Sequence, residues 1–178
     1  MFPTSTLNKL YCLVAACAVF AVARAGASQG LPWSVEQLAA RAQRVIHGRV
    51  ASVTCLKDGR GAIYTRIELD VIEVWKGPAT NHFVIVQSGG ILGDERVQVV
   101  GQAEYHPGEE IVDFLAVNTR GEGASLGAGA GKFTVWRDGR TGVTRAASLY
   151  LGRGSSGGAE SSVITIDDLR SRMTGGQK

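Results

Sequence analysis

Apolar and polar residues alternate with a period of two along most of this chain, and the spacing turns helical only near the start and the end of that region. Ile63, Thr65, Ile67, Leu69 and Val71 share one face of a segment whose other face is Tyr64, Arg66, Glu68 and Asp70. Such alternation predicts a half-buried strand, here over residues 63–75, the longest in the chain. Near Val71 the phase slips and Ile72 and Val74 become the apolar pair. A slip inside a long strand marks a bulge, and a bulge lets a sheet curl. Residues 45–55 read as the preceding strand, with Gly48 at a bend or bulge, and Asp58-Gly59-Arg60-Gly61 is a hairpin turn between the two. Shorter strands are expected over 82–87, 96–100, 111–117 and 133–136, the last forming a hairpin with 142–145 across Asp138-Gly139-Arg140. Two glycine-rich stretches, 118–131 and 152–162, read as flexible loops.

Helical spacing occurs at Val35, Leu38, Ala39 and Ala42. Ser34 with Gln37 forms a capping-box pattern and Trp33 with Leu38 a hydrophobic staple, which predicts a helix over about 34–44. A short helix over 167–173 is expected near the C-terminus, capped by Thr165, with Ile164 and Leu169 as its staple. Six or seven strands without βαβ alternation define a mainly β fold: a small antiparallel curled sheet or OB-like barrel with an N-terminal helix and a short C-terminal helix. A β-sandwich is the alternative.

The N-terminus changes how the composition is read. Lys9 precedes an uncharged apolar run over residues 10–23, followed by Ala23-Arg24-Ala25. This is the pattern of a cleavable signal peptide, too short for a membrane-spanning helix, with cleavage after Ala25 or Ala27. An uncleaved anchor, or lipoprotein processing at Cys17 after Val14-Ala15-Ala16, is the alternative. Residues 1–25 are thus expected to be a signal peptide and 26–178 a single β-rich domain, exported to the periplasm or secreted, with no stable transmembrane span once the signal is removed. Cleavage removes Lys9 and Arg24, so the formal charge of +3 falls by two to +1, and nucleic acid is not an expected partner. Cys12 and Cys17 leave as well. Cys55 then stands alone, unable to form an intramolecular disulfide, and is expected to be buried and inert.

Catalytic patterns occur but lack their structural setting. Gly123-Ala124-Ser125-Leu126-Gly127 fits a nucleophile elbow, yet a polar loop precedes it, a poor helix former follows it, and the last histidine, His106, comes earlier in the chain. Residues 127–132 resemble half of a P-loop, with Phe133 where Ser or Thr should bind magnesium. Gly152-Arg153-Gly154-Ser155-Ser156-Gly157 has no βαβ unit around it. No C-x-x-C, H-E-x-x-H or EF-hand loop is present, so no metal or cofactor is expected. His47, alternating with Arg49, is expected to face solvent, and Glu109 and Glu110 to be exposed in a turn. Asp113 differs: it lies inside the apolar run Ile111-Val112-Asp113-Phe114-Leu115. A buried carboxylate costs several kcal/mol unless paired or protonated, so Asp113 either meets solvent or an arginine or is a pocket carboxylate with a raised pKa. Asp113, His47 and Arg49 are the candidate binding residues; no catalytic residue is assigned.

Val-Ile-His-Gly-Arg-Val (45–50), Val-Ile-Glu-Val-Trp-Lys-Gly (71–77), Gln-Ser-Gly-Gly (87–90) and Pro-Gly-Glu-Glu-Ile-Val-Asp-Phe-Leu (107–115) carry a resemblance to uncharacterised bacterial exported proteins. It covers about 34–136. Those proteins look like small OB-type barrels, similar in outline to the inhibitory domain of tissue inhibitors of metalloproteinases. That family chelates a protease zinc through an N-terminal cysteine. Here the expected new N-terminus is Gly26 or Ser28 and Cys55 lies far inside, so the resemblance implies the fold and not the inhibitory chemistry. The functional expectation is a non-enzymatic exported binding domain for an unknown protein or envelope component, with a protease inhibitor as one form of it. An extracytoplasmic enzyme using a carboxylate or histidine in the barrel mouth, and a structural component of an envelope complex, are the alternatives.

Overall fold

The computed structural model describes residues 33–148 and 163–175; the expected signal peptide over 1–25 and the expected loop over 152–162 lie outside the described residues. Two long strands set the architecture. β1 (Arg44–Lys57) and β2 (Ile63–Lys76) pair antiparallel along their whole length, and β3 (His82–Ser88) continues the sheet on β2. β1 then uses its other edge: Arg44 to Arg49 pair with Leu115 to Glu110 of β6 (Glu110–Val117). β7 (Gly123–Ser125) pairs antiparallel with β6 and, through Ile85 and Gly123, parallel with β3. The ring β1-β2-β3-β7-β6 is therefore a closed five-stranded barrel. Its closure through β1 decides against the β-sandwich.

Closure requires strands that bend, and the bends are bulges. The β1–β2 register shifts between Val45 and Ile46, between His47 and Gly48 and between Val50 and Ser52, which leaves Trp75, Ile72 and Ala51 as the extra residues. The slip expected near Val71 is the Ile72 bulge. Gly48 sits at the second shift, where a Cβ would lie 2.9 Å from the Asp70 carbonyl oxygen. Any side chain there would push β1 off β2 at the point where β1 turns toward β6.

Outside the ring, β8 (Lys132–Arg137) pairs with β6, β9 (Thr144–Ala147) with β8, and β10 (Val163–Thr165) with β9. β4 (Gly90–Leu92) and β5 (Glu95–Val97) form a separate two-stranded ribbon. This sheet extension meets α1 (Val35–Arg41) and α2 (Ile166–Gly175) to enclose a second core. β6 belongs to both cores. Ile111 and Leu115 point into the barrel, and Val112 and Phe114 point toward the helices. A strand buried on both faces reads as an unbroken apolar run, which is how 111–115 reads apart from Asp113.

The helix caps form as their residues predict. Gln37 N–H donates to Ser34 Oγ at 3.3 Å, Ser34 N–H to Gln37 Oε1 at 3.1 Å, and Asp168 N–H to Thr165 Oγ1 at 3.1 Å. Leu38 and Leu169 are fully buried against the outer core, with Trp33 and Ile164 packed beside them. α1 stops at Arg41 rather than near 44. Ala42 is extended, Gln43 N–H donates to the Leu115 carbonyl, and Gln43 Oε1 accepts from Val117 N–H at 2.6 Å. Pairing with β6 thus outweighs the helical spacing.

Three further expectations need correction. Strand pairing over 96–100 ends at Val97. The last hairpin returns as 144–147 rather than 142–145. The 118–131 stretch is not one flexible loop: it holds β7 and a turn in which Asn118 Oδ1 accepts from Arg120 N–H and Glu122 N–H. Asp58 Oδ1 does the same for Arg60 and Ala62, and Asp138 Oδ1 for Arg140 and Thr141. These three hairpins therefore turn on one device, an Asx side chain capping its own loop.

Gly123 seals the seam between β3 and β7, because a Cβ there would lie 2.7 Å from Phe83 Cε1 and 3.2 Å from Leu115 Cδ2. Gly123→Ala is expected to lower stability by about 1–3 kcal/mol through overpacking, measured by urea unfolding. The exposed neighbour Ala124 serves as the control site, where Ala124→Ser should be neutral within about 0.5 kcal/mol.

Candidate functional site

The inner face of β6 places Asp113 inside the barrel, between Ile111 and Leu115 and opposite Ile46 of β1. Asp113 has no exposed surface. Its Oδ2 accepts from the Tyr105 hydroxyl at 2.6 Å and its Oδ1 from the Ser125 hydroxyl at 2.8 Å. Tyr105 comes from the segment that follows the β4–β5 ribbon, and Ser125 from β7. Tyr105 and Ala103 are themselves buried, filling one end of the barrel core. Burial pushes the Asp113 carboxyl up to about 6, against the lowering effect of the Tyr105, Ser125 and Lys132 partners. The same burial, with the Asp113 charge beside it, raises the Tyr105 phenol well above its ordinary range.

Lys132 on β8 borders this cluster. Its ammonium lies 5.0 Å from the centre of the Tyr105 ring and donates to the Glu104 carbonyl and to both oxygens of Glu109, at 2.7 and 2.8 Å. Glu109 also accepts from the Thr134 hydroxyl at 2.7 Å. Burial opposes ionisation of Glu109, but the Lys132 and Thr134 hydrogen bonds prevail and hold its carboxyl below the usual range. Glu109 is therefore a half-buried partner of Lys132 and not the exposed turn residue its sequence position suggests.

His47 and Arg49 lie on the outer face of β1. His47 is buried rather than solvent-facing: its ring is 5.8 Å from the Trp75 ring and its Nε2 lies 2.9 Å from Glu110 Oε1. Arg49 donates to Glu110 Oε2 at 3.1 Å and to the Gly108 carbonyl at 3.0 Å. Glu110 thus ties the two together, and its half-buried position corrects the expected exposure. The pleat separates this group from Asp113, because Ile46 pairs with Asp113 whereas His47 pairs with Val112. No single site contains all three candidate residues.

The concavity on this side of the barrel is a cleft of about 480 Å³ between the ribbon, residues 96–106 and the barrel wall. Cys55, Thr65 and Gln87 line its floor. Cys55 is half-buried, with its Sγ 3.4 Å from Thr65 Oγ1, and Thr65 donates in turn to the Gly89 carbonyl at 2.8 Å. Gly90 lies close on top: a Cβ there would meet Cys55 Sγ at 2.5 Å and Thr65 Oγ1 at 2.6 Å. Large apolar side chains stand exposed around the cleft: Ile91 at 60 %, Val97 at 46 %, Val99 at 42 % and Val100 at 91 %. Among the described residues, four of the seven exposed large apolar side chains fall in this ten-residue stretch. The patch is hidden in the sequence because residues 96–100 read as a strand, in which neighbouring strands would cover the valines.

Among the described residues no three His, Cys, Asp or Glu side chains converge as a metal site, and no helix is long and apolar enough to cross a membrane. No protein-family model matches the chain. No curated protein matches it either.

Asp113 makes stability depend on pH in an unusual direction. Its folded-state pKa is raised from 3.8 to about 6, so the folded state holds a proton that the unfolded state releases. Its contribution is full below the unfolded value and is lost as pH rises through the folded one. The loss amounts to about 3 kcal/mol between pH 3.5 and pH 7.5. Asp113→Asn keeps an acceptor for Tyr105 and a donor for Ser125 without the charge. Urea unfolding across that range should show the wild-type chain losing this amount relative to Asp113→Asn.

Proposed function

We propose that the protein is an exported, non-enzymatic binding domain that recognises a protein partner through the ribbon, residues 98–106 and the cleft they border. The observation that carries this reading is the exposed cluster of Ile91, Val97, Val99 and Val100 beside that cleft. Contiguous apolar surface rimmed by polar residues marks a contact site, and Arg96 and Gln98 lie beside these side chains. The ribbon adds a further attraction. Among the described residues β5 pairs with β4 alone, so its outer edge can accept an extended segment of a partner.

Asp113 supports a structural part in this reading and not a catalytic one. It has no exposed surface, and both its oxygens are engaged. A protease inhibitor is one form of the binding reading, since the closed barrel agrees with the outline of the domain this chain resembles. The zinc-chelating cysteine of that family has no counterpart at the expected mature N-terminus, so an inhibitory contact would have to use the ribbon face.

The test is capture from envelope extract by immobilised wild-type protein, run beside a Val97→Lys/Val99→Lys variant. Both positions are exposed, so the variant should fold normally. Wild type is expected to enrich a defined protein at least tenfold over the variant. Equal capture by both, or none above background by either, would remove this face as the binding site.

A further inference from the structure

We propose that residues 98–105 form a strap latched to the barrel by the Tyr105–Asp113 hydrogen bond, and that this strap lifts more readily toward neutral pH than in acid. The strap covers the same face as the proposed partner contact, but this inference concerns its motion and needs no partner for its test.

The attachment of the strap motivates it. Strand pairing ends at Val97, and no main-chain hydrogen bond joins residues 98–105 to a strand of the barrel. Side chains do the holding. Tyr105 and Ala103 enter the barrel core, the Tyr105 hydroxyl reaches Asp113 at 2.6 Å, and Lys132 takes the Glu104 carbonyl. Both ends of the strap are fixed. The ribbon holds the near end, and Gly108 N–H donates to the Val50 carbonyl at 2.7 Å just beyond the far end. Gly101, at φ +84, and Gly108, at φ +85, occupy the left-handed region that glycine adopts at little cost, and they are natural pivots. A segment held by a few side chains opens more readily than one in a strand ladder.

The pH direction follows from what surrounds Asp113. Inside the barrel, β1 faces it with Ile46, β2 with Ile67 and Leu69, and β3 with Phe83 and Ile85, none of which titrates. β7 contributes Ser125, the strap contributes Tyr105, and β8 contributes Lys132, whose charge is matched by Glu109. Glu109 is held below its ordinary range and Tyr105 well above its own. His106 is exposed beyond the strap, 3.8 Å from Glu109, and must be controlled for. Lifting the strap admits water to Asp113 and returns its carboxyl toward 3.8 from about 6. The closed form therefore binds a proton more tightly than the open form, and rising pH favours opening, by about tenfold between pH 5 and pH 8.

Ala103 reports the motion because it is buried only while the strap is down. The full chain with Cys12, Cys17 and Cys55 replaced by Ser carries either Ala103→Cys or, as a monitor of global unfolding, Ala39→Cys on the buried face of α1. Labelling by a methanethiosulfonate is measured from pH 5 to pH 8 and divided by the rate for an unstructured peptide with the same flanking residues. The Ala103→Cys rate is expected to exceed the Ala39→Cys rate and to rise about tenfold over this range. Asp113→Asn should abolish the rise, Tyr105→Phe should speed labelling at pH 8, and His106→Gln should leave the profile unchanged. Labelling equal at the two reporters, or a pH rise that survives Asp113→Asn, would overturn the proposal. If Ala103→Cys does not fold, glutamyl-endopeptidase cleavage after Glu104 of the unaltered strap gives the same reading. It should rise with pH relative to peptide in wild type and stay flat in Asp113→Asn.

Discussion

A carboxylate cut off from water must find its hydrogen bonds within the protein, and Asp113 finds them on two segments that the strand ladders hold least well. Ser125 sits on β7, which has three residues and meets β3 through one pair, and Tyr105 sits on a strap with no main-chain hydrogen bond to a barrel strand. The polar cluster thus joins the weakest seam of the ring and the covering of one barrel end to β6, the strand buried on both faces. An apolar residue at 113 could fill the same space. It would leave the Tyr105 hydroxyl buried without an acceptor, at a cost of about 1–3 kcal/mol. The raised carboxyl and the raised phenol are two consequences of one enclosure.

The barrel that encloses this cluster depends on the length of β1. With 14 residues it pairs with β2 throughout and still offers its first six to β6. Bulges at Ala51, Ile72 and Trp75 let it serve both neighbours, and Gly48 permits the close approach to β2 that the turn demands. The helices then cover the outer face of β6 and its extension, where Phe114 and Phe133 meet at 5.7 Å. The inner and outer cores share β6, so each limits how far the other can shift.

Much of this was legible in the sequence because it rests on local chemistry. The caps at Ser34 and Thr165, the phase slip at Ile72 and the turns at Asp58 and Asp138 all involve residues within a few positions of one another. Asp113 stood out for the same reason, as a charge within an apolar run. What was hidden depends on distant partners. His47 and Glu109 alternate and punctuate as surface residues do, yet Trp75 with Glu110 covers the first and Lys132 with Thr134 the second. Pairing with Leu115 and Val117 claims Gln43 from its helix. Val99 and Val100 carry strand-forming side chains, but among the described residues no strand pairs with them, so their exposure is a property of the assembled fold and not of the segment.

The central claim is that Tyr105 and Asp113 act on stability through each other. A double-mutant cycle in urea at pH 7.5, with Tyr105→Phe, Asp113→Asn and the pair, tests it most directly. Tyr105→Phe should cost about 1–2 kcal/mol more beside the ionised Asp113 than beside Asn, because hydrogen bonds to charged groups are the stronger kind. The excess should shrink at pH 4.5, where the carboxyl holds its proton. Additive effects at both pH values would contradict the account.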